Sequence, residues 1–169
     1  MHGSNSNQAN GTTGSAQTQL EQQEYAQKVA EIEAQLAEHQ NYLKNGLPES
    51  SPIKIPQNAK IKEEPKDGYD QVKYTWEHEP YQYESRWHTR TPNAPIEQGD
   101  SWVVKRTIPG IGSGPNARKR KSEILVGKSD SGQNIWVDSK VWNAAVRARR
   151  DGTCTQEQKE LLDHGHWKA

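Results

Sequence analysis

Glu123-Ile124-Leu125-Val126, then Ser129-Asp130-Ser131-Gly132, then Asn134-Ile135-Trp136-Val137, then Asp138-Ser139 and Lys140 to Arg150 form the stretch that decides the fold. Two short apolar runs flank a cluster of turn residues, which is the signature of a β-hairpin. Asp138-Ser139 then supplies a helix cap. Val141, Trp142, Ala145 and Ala148 recur at helical spacing and make an inner face. Arg147, Arg149 and Arg150 close the helix where cations suit its dipole, and Gly152 stops it. A hairpin feeding directly into a helix predicts an α+β domain.

Working outward, Thr155 with Gln158 reads as the cap of a final short helix through Leu161 and Leu162. Upstream, Ser101 to Ile108 sets Trp102, Val104 and Arg106 against Val103, Lys105 and Thr107, a strand alternation. Val72, Tyr74 and Trp76 alternate with Lys73, Thr75 and Glu77 in the same way, and Pro80 ends that run. The expected fold is therefore α+β: a small antiparallel sheet with C-terminal helices, preceded by an amphipathic helix and a Pro-rich linker. The preceding helix rests on Tyr25, Val29, Ile32, Leu36, His39 and Leu43, spaced as a heptad seam. Thr18-Gln19-Leu20-Glu21 would cap it and Asn45-Gly46 would end it. The expected organisation is a disordered tail at 1–17, the amphipathic helix at 18–46, an extended linker at 47–70 and a basic α+β domain at 71–169.

Composition fits one domain with appendages. Hydrophobic residues make up 30% of the 169 residues and Phe is absent, so the chain lacks apolar material to pack its whole length. All six Trp lie at or beyond position 76, which places the core in the second half. Trp102, Trp136 and Trp142 are expected to share it. Charge is uneven. Residues 1–100 carry nine Lys+Arg against fifteen Asp+Glu, a net of −6, whereas residues 101–169 carry thirteen against seven, a net of +6. A basic segment interleaved with Trp and His points to a polyanion, most directly nucleic acid.

Several classes are excluded or disfavoured. Cys154 is the single cysteine, so no internal disulfide and no multi-Cys zinc site can form, and the Cys pair of the cytidine deaminases is missing. No apolar run reaches membrane-spanning length, and the first 20 residues lack the basic start and apolar core of a signal peptide. No metal ligand is assigned and the cofactor is left open, with Asp163, His164 and His166 the alternative holders of a metal, as in metal-dependent nucleases.

Three constellations can carry chemistry. Gly110 to Gly114 leads into Arg118-Lys119-Arg120-Lys121, where glycines admit a close phosphate and four cations hold it. The Gly-Lys-Ser/Thr ending of a Walker loop is missing, and a solvated hairpin loop or an import signal is the competing reading. Asp163-His164-Gly165-His166 offers two imidazoles two residues apart, able to serve as acid and base near neutral pH, against a frayed, exposed terminus. Arg86-Trp87-His88-Thr89-Arg90 sets a histidine between two arginines and an aromatic, able to hold a phosphate and stack a base, against a packed Trp with salt-bridged arginines. The candidate catalytic residues are His88, His164 and His166. The candidate substrate-binding residues are Arg86, Arg90, Arg118, Lys119, Arg120 and Lys121.

The segment Glu38-His39-Gln40-Asn41-Tyr42-Leu43-Lys44-Asn45, the Pro-rich joint and the basic end resemble the C-terminal toxin module of bacterial polymorphic toxins, of the contact-dependent inhibition or Rhs-repeat kind. The residues of that end are Asn143 to Thr153 and Leu162-Asp163-His164-Gly165-His166-Trp167. The resemblance spans about residues 20–169, and no diagnostic nuclease motif is complete. It implies delivery into a rival cell as part of a larger protein, action in the cytoplasm, nucleic-acid cleavage and a cognate acidic immunity protein. A non-enzymatic nucleic-acid-binding or protein-interaction module is the alternative. A Gln158-Lys159-Glu160 match to the Gln-x-Glu element of ADP-ribosylating toxins is weaker, because the accompanying Ser-Thr-Ser-like strand is missing.

Overall fold

A computed structural model describes residues 2–169, with side chains from Ser15 onward. The chain divides into two compact units, Met1–Leu43 and Lys44–Ala169. The first is helix α1, His2–Asn41. The expected tail at 1–17 is thus corrected, since from His2 on it continues the helix. Once the Leu20–Ala37 region is helical, each added residue costs no new nucleus and gains one hydrogen bond. Thr18 is consequently an interior residue and not a cap. Tyr25, Ile32 and Leu36 of the heptad seam are exposed. A π-turn, Tyr42–Gly46, and a short 3-10 turn, Leu47–Ser50, follow the helix.

The second unit is an α+β fold. Six strands form an antiparallel meander in sequence order: β1 Lys60–Lys66, β2 Tyr69–His78, β3 Tyr81–His88, β4 Ser101–Ile108, β5 Lys121–Lys128 and β6 Asn134–Asp138. Helices α2, Ser139–Asp151, and α3, Gln156–Gly165, come next, and β7, Trp167–Lys168, returns to pair with β4. The expected linker at 47–70 is therefore corrected over its second half. Asp67-Gly68 is a two-residue hairpin turn, with Gly68 at φ 83°, and it folds β1 onto β2. Pro65 is tolerated because β1 is an edge strand, where a missing N–H breaks no inner ladder.

The C-terminal signals act as read. Asp138 caps α2 by accepting from the Lys140 N–H at 2.8 Å, and Gly152 ends it at φ 75°. Thr155 and Gln158 form a reciprocal capping box on α3. Gln158 is thereby engaged in holding the helix start.

The two faces of the sheet carry different cores. On one, Val103 and Ile124 meet Trp142, Ala145 and Leu162 from the two helices. On the other, Trp102 packs against Tyr74 at 5.7 Å between ring centroids and donates its Nε1–H to Ser50 Oγ at 2.9 Å. Farther along that face, Arg106 lies 4.3 Å over Tyr81 and 4.1 Å over Trp136 and pairs with Glu123 at 3.1 Å. The expectation of one shared tryptophan core is corrected: Trp102 and Val103 are adjacent on β4, so the pleat sends them to opposite faces, and only Val103 meets Trp142. Among the described residues no helix is long and apolar enough to cross a membrane.

Candidate phosphate-binding site

The helix-bearing face leaves a cavity of about 380 Å³ beside the N-terminal end of β4. Its sheet wall comes from consecutive strands. Gln71 on β2 is in register with His88 on β3, and Arg86 lies two residues before His88 on the same face. Its helix wall is Trp142, Arg149 and Arg150 of α2, with His166 just beyond α3. Chain reversal at the end of α3 carries His166 back over the sheet, where its ring meets that of His88 at 5.6 Å and nearly perpendicular, 88°. It also lies 5.1 Å from the Trp142 ring.

Both imidazoles are fixed in one tautomer. His88 Nδ1 is 2.8 Å from the Thr89 carbonyl oxygen, and His166 Nδ1 is 2.6 Å from that of Leu162. A carbonyl only accepts, so in each ring Nδ1 carries the hydrogen and Nε2 keeps its lone pair. Burial holds both rings neutral. It lowers His88 below the ordinary histidine value, with the Arg86 and Arg149 charges adding to the effect. His166 falls to about 3, chiefly through burial, then through His88, Arg149 and Arg86.

The cations are oriented. Gln98 Oε1 accepts from Arg149 Nη1 at 3.0 Å, and burial lowers the Arg149 pKa. Arg86 has Glu84 4.0 Å from Nη1, but its Nε is buried and has no hydrogen-bond partner. Three guanidiniums and one carboxylate, Asp67, line the cavity. The cavity thus sets three cations beside two imidazoles whose Nε2 lone pairs are free to accept a proton.

The sequence-derived candidates divide between this cavity and other places. His88, His166 and Arg86 come together in it. His164 does not: it is exposed on the last turn of α3, because residues two apart at a helix end project in different directions. Arg90 donates to the Ala94 and Pro95 carbonyls and braces the loop between β3 and β4. Arg118, Lys119, Arg120 and Lys121 are exposed in the loop after β4 and at the start of β5. That loop lies at the opposite end of β4 from His88, roughly 24 Å away at strand rise. Within it Arg118 Nε donates to the Pro109 carbonyl, Arg120 lines a separate cleft with Lys60 and Lys105, and Lys121 lies 4.0 Å from Glu123.

Arg149, Arg150 and Gln71 escape a sequence reading. The two arginines look like ordinary helix-end cations, and Gln71 looks like a strand residue. One signal for them was present: helical spacing sets Arg149 seven residues after Trp142, on the inner face. No protein-family model, curated protein or solved structure matches the chain.

Proposed function

We propose that the chain cleaves RNA by internal transphosphorylation, as a toxin module acting on nucleic acid. The observation that carries this reading is the pair of perpendicular, tautomer-fixed imidazoles, His88 and His166, in a cavity with Arg86, Arg149 and Arg150. A phosphodiester in the cavity places its nonbridging oxygens on the guanidiniums, which offset the charge that grows in the transition state. His166, the more strongly held neutral, accepts the 2′-hydroxyl proton at Nε2. The 2′-oxygen bonds to phosphorus and the P–O5′ bond breaks. His88, protonated under the influence of the bound anion, donates its Nε2 proton to the departing 5′-oxygen. The products are a 2′,3′-cyclic phosphate and a free 5′-hydroxyl. DNA lacks the attacking group.

The resemblance to polymorphic toxins supports delivery into a rival cell within a larger protein, and pairing with a cognate acidic immunity protein. The exposed 118–121 loop then contacts phosphates outside the cavity.

The test is cleavage of a labelled RNA, with folding checked by circular dichroism. His88→Asn and His166→Asn should each lower kcat by about 10²–10⁴-fold. His164→Asn should leave the rate unchanged. Full activity in both cavity variants sinks the reading. A second reading, binding without cleavage, is favoured by how far burial depresses His166, since such an imidazole is a weak base. Salt-sensitive RNA binding with intact RNA after incubation would select it.

A further inference from the structure

A phosphate does not fill this cavity. At about 380 Å³ it falls in the size range of pockets for whole small ligands. One wall residue has no role in phosphate chemistry. Gln71 is 6% exposed and lines the cavity wall. A primary amide on a cavity wall presents a donor and an acceptor side by side to a group that enters the cavity. Register sets Gln71 directly across from His88. Tyr69, two residues earlier on the same strand face, also lines the cavity, and its ring meets His88 edge-on at 6.2 Å.

We propose that Gln71 and Tyr69 form a nucleobase subsite, so that the cavity takes one unpaired nucleotide, with its phosphate on the arginines and its base read by the Gln71 amide. This rests on the phosphodiester reading above. The amide presents one donor beside one acceptor, which matches adenine: the carbonyl accepts from the exocyclic N6–H and the NH₂ donates to a ring nitrogen. Tyr69 supplies the aromatic surface for the base. A base can enter only when unstacked, so the substrate is single-stranded RNA.

Calorimetric titration with the four nucleoside 3′-monophosphates tests this on the full chain. Adenosine 3′-monophosphate should bind about tenfold tighter than the other three. Gln71→Leu should bring all four to a common affinity without weakening the weakest, and Gln71→Met, which keeps the length of the side chain, should do the same. Arg149→Gln should weaken all four alike. Equal binding of all four by the parent chain, or a preference that both Gln71 variants retain, overturns the subsite. A preference for another base that Gln71 variants abolish overturns the adenine assignment. No binding of any nucleotide, or binding indifferent to Arg149→Gln, overturns instead the phosphodiester reading on which the proposal stands.

Discussion

His166 shows how one side chain can tie stability to its site. Its ring is buried against Trp142 and His88, and it takes a proton only near pH 3, whereas a free histidine does so near 6.5. Below about 6.5 the unfolded chain therefore binds a proton that the fold refuses. Stability is fully retained above that pH and declines as pH falls toward about 3. His88, lowered in the same direction, adds to the decline. We expect the melting temperature of His166→Phe to fall less between pH 7 and 4 than that of the parent chain. Parallel pH profiles for the two proteins would show that the ring titrates normally. An anion works the other way, because it favours the imidazolium. Phosphate should therefore raise the His88 and His166 pKa values, read from their ring-proton NMR shifts.

At the scale of elements, the site depends on how α3 ends. Gly165 is buried beneath Trp142, and a Cβ at that position would overlap the indole ring. A glycine is required there by space, since any side chain pushes α3 away from α2. Gly165→Ala should destabilise the fold by about 1–3 kcal/mol, as overpacking does, and should shift the His166 resonances. Denaturant melts and NMR spectra check both, and an unchanged midpoint would mean that the helices slide apart freely. Trp142→Ala should cost about 3–5 kcal/mol, because the indole fills the space between α2, α3 and the sheet. A melting curve unaltered by that change would show that α2 does not pack there.

Local chemistry explains how the elements could be read from the residues. The β5–β6 hairpin, the Asp138 cap, the Gly152 stop and the Thr155–Gln158 box all depend on residues within a few positions of one another. The edge strand β1 was hidden within the expected linker, because Pro52, Pro56 and Pro65 read as a break in regular structure. A proline excludes a helix or an inner strand, whereas an edge strand accepts it. The candidate site was half legible. His88 and Arg86 stand out because they are neighbours in sequence, and His166 because it is a histidine near the terminus. Pairing His166 with His164 follows from sequence distance, whereas the fold pairs it with His88, 78 positions away.

For the whole molecule, charge is arranged in two places. Of the cavity cations Arg86 and Arg149 are half-buried and Arg150 is exposed, and the 118–121 run is exposed at the other end of β4. Exposed cations act through counterion release, so neutralising Arg118, Lys119, Arg120 and Lys121 together should reduce the slope of log affinity against log salt by about 3 for single-stranded RNA. The cleavage rate at saturating substrate should hold. An unchanged slope would move the outer contacts to another surface.

The residues alone determined the class of the fold, the C-terminal caps and turns and the uneven charge, because each follows from propensity and spacing within one segment. Only the tertiary structure decided which residues form the cavity. Sheet register sets Gln71 beside His88, the pleat separates Trp102 from Trp142, and the close contact of Gly165 with Trp142 brings His166 over the sheet. Those relations join positions far apart in the chain, and burial, which lowers the pKa of both imidazoles, exists only once they are packed.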